Sequence, residues 1–241
     1  MKKKVIGFVI ADKNNEWMVK MFLNSLRKFH SEEDLPMLIV DDEKIKKYGY
    51  NDPNFFYRAT PTVASELLRE YDLVLKFDCD QIVMGNLDHI INSKTEWDVA
   101  TVLNWNRVDP AKYGEIGVAT VQPKDYYNCG FVAMRSERFV DNWYNLCRSK
   151  HFDLMPMREQ GFLNVICHYG DYKVWCVDNR NWITNETMWH GLISKGEWIR
   201  FILTDDKQVV LPTGEDRYPQ DNVVIKMIHW AGGADEKKMQ Y

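Results

Sequence analysis

The spacing of apolar positions changes as the chain proceeds. Val5 to Ile10 is a short apolar run of the kind a buried strand shows. After the polar Asn14-Asn15, Trp17, Met21, Phe22, Leu26 and Phe29 recur at helical spacing, which predicts a helix over 16–29. Met37 to Val40 reads as a second strand ending in Asp41-Asp42. Thr60-Pro61 reads as an N-cap followed by proline at the first position of a helix running to about Tyr71, and Leu73 to Phe77 as the third strand. Asn86 to Ile91 predicts a short helix, Val99 to Leu103 and Phe131 to Met134 further strands, and Ser136 the cap of a helix to about Lys150. Glu159 to Tyr169 reads as another helix, and Lys173 to Val177 and Val223 to Ile228 as late strands.

Strands alternate with helices over the first hundred residues and less regularly afterwards. That pattern predicts an α/β fold with a mainly parallel central sheet flanked by helices, receiving ligands at the carboxyl ends of its strands. Asp12, Asp41, Asp42, Asp78 and Asp80 all stand near such ends. No Pro/Gly/Ser linker, repeat or low-complexity stretch divides the sequence, so a single domain over 1–241 is expected.

Composition narrows the function classes. The 241 residues are 45% hydrophobic, enough for a substantial core, and the net charge of -4 comes from interspersed charges. Only Lys2 to Lys4 is a basic run, which gives no footprint for nucleic acid. Five cysteines form an odd set without CxxC spacing, against a disulfide framework or structural zinc and in favour of a reducing, cytoplasmic compartment. The apolar part of Met1 to Ile10 is shorter than a signal h-region, and no run is long enough to span a bilayer.

The chemistry concentrates in "LVLKFDCDQIVMGNLDHI", residues 73–90, where an apolar strand ends in two acids. In an extended chain, Asp78 and Asp80 project to one side about 7 Å apart, with Cys79 facing the other way. Two converging carboxylates suit a hard divalent ion such as Mg²⁺ or Mn²⁺, and an exposed turn is the plainer alternative. His229 closes a second apolar run, "NVVIKMIHW", before Ala231-Gly232-Gly233 and Lys237-Lys238. An imidazole beside close-approach glycines and lysines suits a metal-pyrophosphate site.

Four stretches, "YDLVLKFDCDQIVMGNLDHI", "YNCGFVAMRS", "REQGFLNVI" and "VIKMIHWAGG", together resemble the nucleotide-sugar glycosyltransferases of the glycogenin and lipopolysaccharide galactosyltransferase type, in that family's order. The resemblance implies a GT-A (Rossmann-like) fold, with a nucleotide-binding half over 1–103 and a sugar donor/acceptor half over 104–241. It implies Asp78, Asp80 and His229 as metal ligands, with Mn²⁺ or Mg²⁺ bridging the diphosphate of a UDP-sugar donor and Asp78 also touching the donor. It places Asn128 and Gly130 against the donor sugar, Glu159 and Gln160 beside the anomeric carbon, and Gly232 near the β-phosphate. Asp12, with the backbone of Val9 and Ile10, falls where the family holds base and ribose. The implied activity is metal-dependent sugar transfer to an acceptor hydroxyl of a carbohydrate or glycoconjugate, with retention. The chain departs from the family in two places: Asp235 stands where a lysine is usual, leaving Lys237 or Lys238 to substitute, and Pro61-Thr62 stand where a basic residue is usual, with Arg58 nearby.

Trp105-Asn106-Arg107, Trp182, Trp189, Trp198 and the polar run "DNRNWITNE" are candidates for the acceptor, since flat rings cover the apolar faces of sugars. Two other readings of the acidic pair stay open. One is a haloacid dehalogenase-type phosphatase with Asp78 as nucleophile and "TDDK", 204–207, as a later acidic motif. The other is a sugar-nucleotide-binding module without turnover.

Overall fold

The computed structural model describes residues 4–47, 55–103, 126–155, 157–177, 182–184, 202–203, 209–211, 223–224 and 226–229. The expected start of the fold is present. Strands β1 (Val5–Ile10), β2 (Met37–Val40) and β3 (Leu73–Phe77) are parallel neighbours, with Gly7 opposite both Met37 and Leu75. Further on come β4 (Gln81–Val83), β5 (Val99–Leu103), β6 (Tyr127–Met134) and β7 (Val174–Cys176). Among the described residues, six strands form one sheet in the order β2-β1-β3-β6-β5-β7, mainly parallel, with β6 running antiparallel to both of its neighbours.

The helices are α1 (Glu16–Leu26), α2 (Asp42–Lys47), α3 (Phe55–Leu68), α4 (Asp88–Ile91), α5 (Glu137–Cys147) and α6 (Arg158–Tyr169). Period-2 alternation divides the sheet's side chains between two cores. Val74, Phe8, Val132 and Met134 pack with α3, α5 and α6, whereas Leu73, Leu75, Phe77, Phe131 and Ala133 pack with Phe22 and Leu26 of α1. Phe77 lies between Phe22 and Phe131, with ring centroids 5.1 and 5.5 Å away.

Three expectations about elements are corrected. Helix α3 begins at Phe55, so Pro61 lies inside it and Thr60 is no cap. The ladder is one N–H short at Pro61, and the Thr62 hydroxyl donates back to Arg58 O at 3.0 Å. Helix α1 stops at Leu26, because the Arg27 guanidinium gathers the carbonyls of His30, Ser31 and Leu35 and pulls the next residues into a turn. Val223 to Ile228 is two strands: β11 (Val223–Val224) joins β10 (Val209–Leu211) and β9 (Ile202–Leu203), whereas β12 (Met227–His229) lies between β4 and β8 (Trp182–Thr184). Ser136 caps α5 as expected, accepting from Phe139 N at 3.2 Å.

Two devices position the functional end of the sheet. The short strand β4 is tied to α1 by Val83 N donating to Ser25 Oγ at 2.9 Å, and the segments that follow the two elements are joined by Leu87 N donating to His30 Nε2 at 2.8 Å. Strand β6 carries a bulge: Thr101 of β5 faces Val132, but Val102 faces Asn128, so residues 129–131 have no counterpart on β5. On its other side β6 stays in register with β3, with Phe77 opposite Phe131.

Candidate active site

The acidic pair stands where β3 ends. Asp78 N donates to Gly130 O at 2.8 Å, after which Cys79 and Asp80 turn the chain into β4. The extended geometry expected for this stretch is thus replaced by a turn, yet both carboxylates converge on one imidazole. His229 Nε2 lies 3.4 Å from Asp78 Oδ2 and 3.2 Å from Asp80 Oδ1. Among the described residues these three form the one cluster of metal-ligating side chains, with ligand atoms all within 4.8 Å of one another. Their union depends on β12 pairing with β4, which sets His229 opposite Gln81. Cys79 faces away and packs with Val9, Ala11 and Val19.

A buried cation, which sequence reasoning passed over, belongs to the same cluster. Lys76, 5% exposed, is ion-paired with Asp78 Oδ1 and donates to Cys129 O at 2.7 Å. Its position two residues before Asp78 in a strand puts both side chains on one face, a signal visible in the sequence.

The β6 bulge completes this wall. Asn128 Oδ1 accepts from Gly130 N at 2.6 Å, and the Thr101 hydroxyl donates to Asn128 O at 2.8 Å. Gly130 is required by packing: a Cβ there would overlap Cε1 of His229 and lie 2.7 Å from its Nδ1. Helix α6 is stitched to the bulge from the other side. Gln160 Oε1 accepts from Cys129 N at 2.9 Å, and Asn164 bonds both the N–H and the carbonyl of Tyr127, at 2.7 and 2.9 Å. Asn164 is a second residue whose role sequence reasoning missed. The helix begins under strain, since Met157 and Arg158 sit at φ 58° and 49°. Glu159 follows, its carbonyl accepting from Trp143 Nε1 at 2.9 Å.

Electrostatics follow from this crowding. Loss of water opposes the charge on Asp78, but Lys76 and His229 hold its carboxyl well below the usual range. Burial likewise works against charge on Lys76, and the Asp78 carboxylate outweighs it, keeping the amine above its ordinary value. Burial pulls His229 down, but the carboxylates of Asp80 and Asp78 prevail and push it up to about 9. Burial raises Glu159 to about 8, against weaker opposition from its backbone N–H and Lys76. The cluster therefore sets two cations, Lys76 and His229, against two carboxylates. Several buried polar atoms here have no hydrogen-bond partner: Glu159 Oε2, Gln160 Nε2, His229 Nδ1 and both side-chain atoms of Gln81.

No protein-family model matches the sequence, and no curated protein does. Solved structures do. The bifunctional glycosyltransferase WbbM superposes with a TM-score of 0.60 at 13% identity over 96% of this chain, which spans 46% of that protein. The galactosyltransferase LgtC, solved with donor and acceptor sugar analogues, gives a TM-score of 0.58 at 15% identity, over 95% of this chain and 88% of that one. A glycosyltransferase involved in glycosylation of the major capsid of PBCV-1 gives 0.59 at 9% identity, over 98% and 96%. The fold is GT-A.

Within the GT-A fold the other expected residues take up varied positions. Val9 and Ile10 end β1 beside β3, with Val9 opposite Phe77. Asp12 caps the following 3₁₀ turn, its Oδ1 accepting from Asn14 N and Asn15 N at 2.9 and 3.1 Å. Asp41 accepts locally from Lys44 N at 2.9 Å, whereas Asp42 accepts from Lys13 N, in the turn after β1, at 3.3 Å. Arg58 stacks on Phe152, its Cζ 4.3 Å from the ring centroid. Gly232, Asp235, Lys237, Lys238, 105–107, Trp189, Trp198 and 204–207 lie outside the described residues, as does the polar run apart from the backbone of β8, which carries Trp182. Among the described residues no helix is long and apolar enough to cross a membrane.

Proposed function

We propose that this chain is a metal-dependent glycosyltransferase that moves a sugar from a UDP-sugar donor to the hydroxyl of a carbohydrate or glycoconjugate acceptor, with retention of configuration. The observation that carries the reading is the convergence of Asp78, Asp80 and His229 at the carboxyl end of β3 in a GT-A fold. Two carboxylate oxygens and an imidazole nitrogen, all within 4.8 Å of one another, form a donor set that fits Mn²⁺ or Mg²⁺. When bound there, the dication supplies Lewis-acid stabilisation of the negative charge on the departing diphosphate.

The chain's own residues do the rest. Lys76 holds one oxygen of Asp78 and leaves Oδ2 facing His229. The base and ribose lie at the end of β1, by Val9, Ile10 and Asp12, and Gly232 and Lys237 meet the phosphates. Asn128 and Gly130 lie against the donor sugar. Gln160 has its oxygen committed to Cys129 N, so it offers Nε2 as a hydrogen-bond donor to the sugar. Glu159, with an unpartnered buried oxygen and a carboxyl raised to about 8, stands beside the anomeric carbon and, once ionised, stabilises positive charge developing there. The acceptor hydroxyl attacks on the face the diphosphate vacates, and a leaving phosphate oxygen takes its proton. The five free thiols fit a cytoplasmic setting.

The test is a screen of UDP-sugars for UDP release with Mn²⁺, repeated with Asp80→Asn. Turnover by the wild type, with a fall of about 10²–10³-fold in the variant, is expected. Unchanged turnover ends the assignment, phosphoryl transfer to Asp78 would replace it with the phosphatase, and UDP binding without turnover would replace it with the binding module.

A further inference from the structure

The carboxamide of Gln81, the first residue of β4, takes no part in the contacts that hold the site together. It is fully buried, and neither its oxygen nor its nitrogen has a hydrogen-bond partner, an expensive state for an amide. Its neighbour follows from the strand pairing. Met84 N donates to Lys226 O at 2.9 Å, which makes Met84 and Lys226 a hydrogen-bonded pair. Alternation along the ladder then makes Gln81 and His229 a non-hydrogen-bonded pair, in which the side chains share a face and the Cα atoms stand about 4.5 Å apart.

The imidazole beside it has a matching need. For Nε2 to give its lone pair to a cation, the neutral ring must carry its proton on Nδ1, and that nitrogen too is buried without a partner. Asn128 Oδ1 also lies near this edge of the ring, where it accepts from Gly130 N at 2.6 Å and makes no bond to Nδ1. The Gln81 oxygen is uncommitted, on a side chain with three torsions to bring it round.

We propose that Gln81 is a positioning residue for the dication site: its Oε1 accepts the proton of His229 Nδ1 and fixes the tautomer that turns Nε2 toward Asp78 and Asp80. The proposal rests on the reading of that site as a metal site. Two variants test it. Gln81→Met keeps the shape and loses the acceptor; Gln81→Glu keeps an acceptor. Mn²⁺ binding is followed by electron paramagnetic resonance, and the imidazole tautomer by long-range ¹H–¹⁵N spectra of Mg²⁺-loaded protein.

The expected result is Mn²⁺ affinity lowered about 10–100-fold in Gln81→Met with loss of the Nδ1–H form, and both restored in Gln81→Glu. Wild-type protein that binds no Mn²⁺ takes down the metal site and this proposal together. Wild-type binding matched by Gln81→Met in affinity and tautomer overturns the Gln81 assignment alone. Should Gln81→Met fail to fold, the wild-type spectrum decides. A ring Nδ1–H that exchanges slowly with water supports the assignment, and a ring protonated on Nε2 overturns it.

Discussion

Lowering the pH should weaken cation binding, by an amount that follows from the charge balance of the cluster. Without metal, Lys76 and His229 face the carboxylates of Asp78 and Asp80, and the imidazole is pushed up to about 9 because both acids lie within 3.4 Å of Nε2. Binding through Nε2 requires the proton there to leave. Well below pH 9 each unit should therefore cost about tenfold in apparent Mn²⁺ affinity, or ~1.4 kcal/mol, which makes binding at pH 7 roughly 50-fold weaker than at pH 9. Lys76 keeps its proton throughout this range. Mn²⁺ titrations at half-unit steps from pH 6 to 9, with calorimetry in buffers of different ionisation enthalpy, would measure the slope and count the protons released. The expectation is a slope near one and about one proton per ion, both abolished in His229→Gln. An affinity flat across that range, with no proton release, would refute the reasoning.

Other outcomes follow from the same cluster. In chelator, His229 is held at about 9 against an ordinary value of 6.5, so its contribution to stability is complete below pH 6.5 and is lost as pH rises through 9. Scanning calorimetry should show a loss of roughly 3 kcal/mol over that interval, about 10 °C in Tm, and a melting point that does not fall would exclude a protonated His229. Lys76→Met removes the cation beside Asp78 and should lower stability in urea by about 2 kcal/mol, less than for a fully buried pair because the Asp78 side chain is 39% exposed. An unchanged midpoint would mean the pair contributes nothing. Gly130→Ala drives a methyl group into the His229 ring, so it should cost about 1–3 kcal/mol and abolish Mn²⁺ binding. Retained affinity would show that the ring can move aside.

Legibility in the sequence varied with the kind of signal. Strands β1, β2, β3 and β5 have the expected bounds because each is a predominantly apolar run, with at most one polar residue inside it. Pro61 misled because proline at a helix start and proline within a helix look alike without the upstream turn, here Phe55 to Thr60. Strand β4 has three residues, too few for a period to show, and with it went the reason Asp80 and His229 meet. The acidic pair and the distant histidine were nameable from residue types, but their contact needs a pairing between strands far apart in the chain. Lys76 and Gln81 escaped notice because each sits within or beside an apolar run, where a polar residue carries no periodic signal of its own. Asn164 lay in a quoted motif, but its double bond to Tyr127 follows only from the packing of α6 on β6.

The uneven accounting of β6 has an evolutionary corollary. The strand keeps step with β3 through Phe131 and skips residues 129–131 relative to β5, so one margin anchors the sheet while the other tolerates surplus length. Residues 129–131 are gripped from the β3 side by Lys76 and Asp78, so codon insertions or deletions placed on β5, opposite them, would reshape the wall around Asn128 while those two bonds stay in place, giving descendants of this gene a way to vary the site that leaves the scaffold intact.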